Sequence, residues 1–247
     1  MPRESVEIRT QDGVCPITLF TPNGAGPWPA VIFYMDGLGI RPALHAMAQR
    51  IADEGFVVLL PDLFYRAGPY APFDPKAIFA AGNFREVLGP FFASTNSKKA
   101  GAEDTRAFIA YLDTRNDVRG RKIGTTGYCM GGAMALTAAG SYPDRVAAAA
   151  SFHGGNLATD ADISAHLLAP AMKGEIYVGA AVDDNSYPPE MEARLKAAFD
   201  AAHVRCTHET YEGALHGWTM PDFPIYNHDQ AERAHRALIA LLRRQLC

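Results

Sequence analysis

An α/β fold, with a mostly parallel central sheet and helices on both faces, is the architecture that this sequence predicts. Three observations carry it. Apolar strand-like runs alternate with segments of helical spacing along nearly all of the chain. Several runs, such as Ala30-Val31-Ile32-Phe33-Tyr34, are continuously apolar, as strands covered on both faces must be. A short β-branched run, Lys122-Ile123-Gly124-Thr125-Thr126, passes through Gly127-Tyr128-Cys129-Met130-Gly131-Gly132 into the helix-forming Ala133–Ala139. The 247 residues suffice for a full core, and the expectation is one domain spanning 1–247.

In chain order, Ser5–Thr10 and Cys15–Phe20 read as strands about Gln11-Asp12-Gly13, whose Asp-Gly pair is a hairpin signal. The buried strand Ala30–Tyr34 precedes a helix from Pro42 to Glu54, stopped by Gly55. The strand Phe56–Leu60 then stops at Pro61. From Asp62 to Phe92, Gly, Pro and aromatic residues predict a long loop with short helical pieces. So many aromatics argue against disorder. Ala102–Leu112 has helical spacing and leads to the turn at Cys129. Val146–Phe152, Glu175–Ala181 and Cys206–Tyr211 read as later strands, and Pro188–Ala202 and Asp229–Leu246 as helices. The last of these carries an amphipathic stripe of Ala234, Leu238, Leu241 and Leu242.

Composition excludes several classes. The formal net charge of −4 offers no basic field to nucleic acid. No apolar run approaches the roughly 18 residues of a membrane span. The start, Met1-Pro2-Arg3-Glu4-Ser5-Val6-Glu7, has charges where a signal peptide has its apolar centre. Cys15, Cys129, Cys206 and Cys247 are far apart and form no CxxC pair, so free thiols of a reducing cytoplasm are expected. No metal or other cofactor is expected, and a monomer or weak homodimer is the anticipated state.

The chemistry concentrates at strand ends, where such sheets place their sites. A nucleophile on a tight strand-to-helix turn needs small neighbours, because strand and helix approach closely there. The helix starting at Met130 aims free N–H groups and its positive dipole end at the Cys129 sulfur, favouring thiolate and a neighbouring oxyanion. Two further loops follow later strands: Ala181-Val182-Asp183-Asp184-Asn185-Ser186-Tyr187-Pro188-Pro189 and Glu212-Gly213-Ala214-Leu215-His216-Gly217-Trp218. The order is Cys129, then an aspartate, then His216, which matches nucleophile, orienting acid and base. Histidine titrates near neutrality and can move the proton, and a carboxylate behind it holds the tautomer. Among the eight histidines, His45 and His235 fall within helical patterns, and His203 and His208 flank an edge strand. His153 also ends a strand and takes a supporting or pocket role.

These pieces resemble the dienelactone hydrolase family of α/β-hydrolases along nearly the whole chain. The resemblance rests on Gly127–Gly132, Ser151-Phe152-His153-Gly154-Gly155, Asp184–Pro189 and Gly213–Trp218, with cysteine where most relatives of this fold carry serine. It implies an ester or lactone hydrolase with Cys129 as nucleophile, Asp184 as acid and His216 as base, acting through an acyl-thioester. Asp183 is the alternative acid. The resemblance also implies a carboxylate that supports the resting thiol, usually glutamate, at the position of Asp36; a turn residue before Gly37 is the other reading. The N–H groups of Gly37 and Met130 are the expected oxyanion donors. Four residues beyond the histidine, the founding enzymes carry an arginine that grips a substrate carboxylate, and this chain has Met220. The pocket should therefore be more apolar, with Phe64, Tyr65, Phe84, Phe91, Phe92 and Trp218 as candidate walls and Arg85 as a replacement cation. Two alternatives are a strict carboxymethylenebutenolidase (dienelactone hydrolase) and a redox-sensing thiol protein on a scaffold without turnover.

Overall fold

The computed structural model describes residues 3–247, so Met1 and Pro2 of the amino-terminal stretch lie outside the described residues. Eight strands form one sheet: β1 (Arg3–Arg9), β2 (Val14–Phe20), β3 (Trp28–Tyr34), β4 (Val57–Pro61), β5 (Val118–Tyr128), β6 (Val146–Phe152), β7 (Glu175–Ala180) and β8 (Cys206–Thr210). Their spatial order is β1-β2-β4-β3-β5-β6-β7-β8. The β1–β2 hairpin joins β4 antiparallel, and every pair from β4 to β8 is parallel. Every residue of β4 and nearly every residue of β3 is buried, as continuous apolar runs require.

The helices are α1 (Pro42–Asp53), α2 (Pro75–Ala81), α3 (Phe84–Ser94), α4 (Thr105–Asp113), α5 (Met130–Ser141), α6 (Pro189–Ala201) and α7 (His228–Leu246). Their starts follow local chemistry. Pro42, Pro75 and Pro189 occupy first turns, where a missing N–H costs nothing. The Asp74 carboxylate accepts the Lys76 N–H at 2.9 Å, and the Asn227 amide oxygen accepts that of Gln230 at 3.2 Å. Helix α7 lays Ala234, Leu238, Leu241 and Leu242 on the sheet, whereas α5 is buried almost all round.

Two element starts depart from the sequence reading by more than two residues. The strand before Cys129 begins at Val118 rather than Lys122, because its first half pairs only at Trp28 and runs exposed. The helix expected from Ala102 begins at Thr105 and is preceded by a wide π turn over Ser97–Asp104. There the buried Asp104 carboxylate binds the Arg66 guanidinium at 2.7 and 2.9 Å. Gly101 lies against α5 so closely that a Cβ would come within 2.7 Å of the Met134 carbonyl. His208 lies inside β8 rather than beside it. The segment after Asp62 folds into α2, α3 and a short 3-10 turn, Tyr65–Ala67, gathered on Phe64, Tyr70, Phe73 and Phe91.

The crossing of β5 and α5 is the tightest contact behind the site. A Cβ on Gly127 would sit 1.9 Å from the Gly131 carbonyl oxygen and 2.8 Å from the Gly132 nitrogen. Both are backbone atoms and cannot swing away. Gly127→Ala is therefore expected to cost about 1–3 kcal/mol or more, the scale of overpacking in a dense interior. Urea denaturation checks it; an unchanged midpoint would mean that the strand and helix can separate freely.

Candidate active site

Cys129 stands between β5 and α5 with φ 55 and ψ −120, a region that non-glycine residues rarely occupy. Such backbone costs on the order of 1–3 kcal/mol and persists only where neighbours hold it. Here they do. The Cys129 N–H donates to the Phe152 carbonyl and to His153 Nδ1, each at 3.1 Å. Its carbonyl accepts the N–H groups of Gly132 at 3.0 Å and Gly155 at 3.2 Å. A Cβ on Gly131 would meet the Tyr34 carbonyl at 2.4 Å, so the start of α5 is pressed against the end of β3 and the Asp36-Gly37 turn that follows it.

His216 comes from the loop after β8 and Asp184 from the loop after β7. The Val182 N–H donates to the Ala214 carbonyl at 2.9 Å and ties these two loops together. His216 Nδ1 and Asp184 Oδ2 are 2.7 Å apart, and the Ser186 N–H holds the other Asp184 oxygen at 2.8 Å. Asp184 is buried; Asp183, at φ 52, is exposed at the cavity edge and does not reach the imidazole. Of the two aspartates left open by sequence, Asp184 is the one bonded to histidine. Burial works against a charge on His216, yet the Cys129 sulfur and the Asp184 carboxylate outweigh it and push the imidazole up to about 10.

Two cavities, of about 500 and about 510 Å³, meet at Cys129. Gly37 and His216 line the first and Met130 the second, and Phe84 and Ser186 border both. No protein acceptor for the Gly37 or Met130 N–H occurs among the described residues, which leaves both donors available beside the sulfur. The first cavity is largely apolar, with Leu38, Ile78, Phe79, Leu215 and Phe223 on its walls. The second carries Arg85, Asn96 and Asn156 beside Phe92 and Met134.

Several candidate positions need correction. Asp36 does not turn its carboxylate to the thiol. Both of its oxygens bind Arg41, at 2.7 and 2.8 Å, and Oδ1 also accepts the Leu38 N–H at 3.0 Å. Arg41, itself buried, reaches on to Asp222 at 2.6 Å. A buried guanidinium between two carboxylates outcompetes any sulfur contact for those oxygens. Phe64 is fully buried against Tyr70 and Phe91, and Tyr65 donates its hydroxyl proton to Asp104 and shares a hydrogen bond with the Thr10 hydroxyl, so neither lines the two cavities at Cys129. Trp218 is also buried, stacked on Tyr211 at 4.8 Å. His153 lies behind Cys129 rather than in the pocket, and burial together with the charge of His216 keeps it well below the usual imidazole range. Arg85 does line the second cavity and is exposed.

The contributions of α2, Phe223 and the Arg41 cluster escape the sequence reading. Ile78 and Phe79 face the cavity only because α2 folds over it, and the Arg41–Asp222 contact joins residues 181 positions apart. The Pro-flanked run after Met220 was the one available hint for Phe223. No group of three or more His, Cys, Asp or Glu gathers as a metal site, and no helix is long and apolar enough to cross a membrane, among the described residues.

Comparison with known proteins agrees with the fold and supplies the family. The dienelactone hydrolase family model matches residues 16–246. A Synechocystis sp. protein provisionally named carboxymethylenebutenolidase is 26% identical over 233 residues, covering 92% of this chain and 91% of its own. Two of the solved structures that share the fold illustrate the likeness. One, provisionally named a dienelactone hydrolase from Klebsiella pneumoniae, has a TM-score of 0.83 at 19% identity and covers 98% of each chain. The other, a dienelactone hydrolase-like promiscuous phosphotriesterase from metagenomic libraries, has a TM-score of 0.78 at 21% identity over 100% of this chain and 99% of its own. The chain is a hydrolase belonging to the dienelactone hydrolase family.

Proposed function

We propose that this protein hydrolyses carboxylic esters or lactones through Cys129, His216 and Asp184, by way of an acyl-thioester on Cys129. The observation that carries this reading is the convergence of the Cys129 sulfur and the 2.7 Å His216–Asp184 pair on one cavity. Cys129, paired as thiolate with the His216 imidazolium, attacks the acyl carbon. The N–H groups of Gly37 and Met130 take the developing oxyanion. His216 then gives its proton to the leaving alkoxide, which departs as alcohol. The neutral imidazole next takes a proton from water, whose oxygen attacks the thioester and releases the acid. Asp184 keeps Nδ1 protonated and offsets the imidazolium charge throughout. The free thiols suit a cytoplasmic enzyme, the location we propose.

The expected substrates are neutral. The position of the carboxylate-gripping arginine is filled by a fully buried Met220, and the first cavity contains no Lys or Arg. Arg41 behind it is already committed to Asp36 and Asp222. A carboxylate placed there would lose hydration without gaining a cation, at a cost of about 1–3 kcal/mol or more, roughly tenfold to a hundredfold in affinity. Measured kcat/KM should be at least about tenfold higher for a neutral activated ester than for a dienelactone. The test is a series of p-nitrophenyl esters of graded length beside a dienelactone, with mass spectrometry of the Cys129 peptide to detect the acyl adduct.

Arg85, at the wall of the second cavity, favours the alternative reading of a strict carboxymethylenebutenolidase. If the dienelactone wins and Arg85→Ala selectively raises its KM, that alternative replaces the neutral-ester preference.

A further inference from the structure

One buried side chain is bonded to both halves of the site. His153 ends β6 at φ 39, while Cys129 lies opposite at φ 55. His153 Nδ1 is 3.1 Å from the Cys129 nitrogen, and its Nε2 is 2.7 Å from Thr219 Oγ1. Thr219 lies three residues past His216 in the same loop. The His153 ring also meets His216 at 5.2 Å and Trp218 at 4.9 Å between centroids. His153 is 1% exposed and Thr219 5%, so neither belongs to the substrate-facing wall.

We infer that His153 is a positioning residue for the hydrolysis, its two ring nitrogens tying the turn of Cys129 to the loop that carries His216. The inference rests on the reading of Cys129 as nucleophile and His216 as proton carrier. The direction of each bond follows from the donors. The Cys129 amide can only donate, so Nδ1 must hold a lone pair, and the ring hydrogen therefore resides on Nε2 and goes to the Thr219 hydroxyl. That tautomer is neutral, which spares the site a second cation beside the His216 imidazolium. The elbow needs such a tether because the direction of the Cys129 N–H is set by the same φ that aims Sγ. Without it the turn relaxes and the sulfur moves relative to Nε2 of His216 and to the two oxyanion donors. The Phe152 carbonyl shares the Cys129 N–H at 3.1 Å, so the turn is loosened rather than freed, and a reduced rate is expected rather than none.

The experiment compares His153→Phe, His153→Asn, Thr219→Val and Cys129→Ala on one neutral p-nitrophenyl ester, with rates per folded molecule from thermal denaturation. Phenylalanine keeps the ring and removes both bonds. Asparagine tolerates positive φ and offers an amide oxygen near the place of Nδ1. Expected for His153→Phe is a kcat lower by about 10- to 100-fold with KM within about twofold, the scale of a small misplacement of reacting atoms. His153→Asn should recover most of that loss, and Thr219→Val should lower kcat by about threefold to tenfold at unchanged KM. A role in packing alone would alter the melting temperature and leave kcat per folded molecule in place. Near wild-type kcat in folded His153→Phe, or an equal loss in His153→Asn, overturns the inference while a dead Cys129→Ala leaves the mechanism standing. An active Cys129→Ala overturns the mechanism and the inference with it. Should His153→Phe not fold, Thr219→Val and His153→Asn decide alone: an unaltered kcat in Thr219→Val, or a loss in His153→Asn exceeding about tenfold, overturns the inference.

Discussion

Cys129→Ala is expected to lower ester turnover by at least about 10⁴-fold while the fold stays intact, because the acyl-thioester route loses the atom that forms the bond. The thiol is half-exposed at the junction of two cavities and carries no core packing, so its removal leaves no internal void. The helix start, the oxyanion donors and His216 remain, and they alone should sustain only a small residual rate. Cys129→Ser should retain little more. The hydroxyl oxygen is smaller than sulfur and far less acidic than a thiol, so His216 would have to draw a proton from a much weaker acid across a longer gap. The measurement is kcat/KM on a p-nitrophenyl ester, with circular dichroism and thermal denaturation to establish folding. A folded alanine variant with near-normal turnover would remove cysteine from the mechanism. The redox-sensing alternative makes the opposite forecast, namely no turnover in the wild type and reversible oxidation at Cys129.

The elbow was legible in the sequence because its requirements are local. Gly127 has to be small where β5 and α5 cross, and Gly131 where α5 meets the end of β3, and those demands leave a six-residue trace. The two loops that carry Asp184 and His216 follow apolar strands directly, so their arrival at one end of a parallel sheet could be read from chain order. The choice between Asp183 and Asp184 could not. Adjacent residues in a turn point apart, and which one enters the site depends on a positive φ at Asp183. Asp36 was misread for a related reason. A buried ion pair decides where its carboxylate turns, and one partner of that network, Asp222, lies far along the chain. The pocket walls were the least legible part. Phe64 and Phe84 belong to the same aromatic-rich stretch, yet one is sealed in the core and the other borders both cavities. Only the packing of α2 and α3 separates them, and no periodicity in a segment rich in Gly and Pro encodes that.

His216→Ala should remove activity about as completely as Cys129→Ala, since groups that act as a unit are not additive. Asp184→Asn should also be severe, lowering kcat by about 10²- to 10⁴-fold, whereas Asp183→Asn should stay within about threefold of wild type. The difference follows from contact: only Asp184 lies 2.7 Å from His216, and its removal takes away both the bond that fixes the tautomer and a charge that favours imidazolium. The same pair gives the pH dependence its sign. Folding raises the His216 pKa from 6.5 to about 10, so this contribution to stability is complete below about pH 6.5 and fades as the pH climbs toward 10. Asp184→Asn removes part of that rise. Its loss in melting temperature should therefore be largest near pH 6 and shrink toward pH 10, with Asp183→Asn flat across the range. Melting curves of the three proteins at both pH values decide it. A larger deficit at pH 10, or a severe kinetic loss in Asp183→Asn instead of Asp184→Asn, would assign the orienting carboxylate to the wrong residue. In that case the 2.7 Å contact would be a feature of the resting loop with no part in the proton transfer that the mechanism requires.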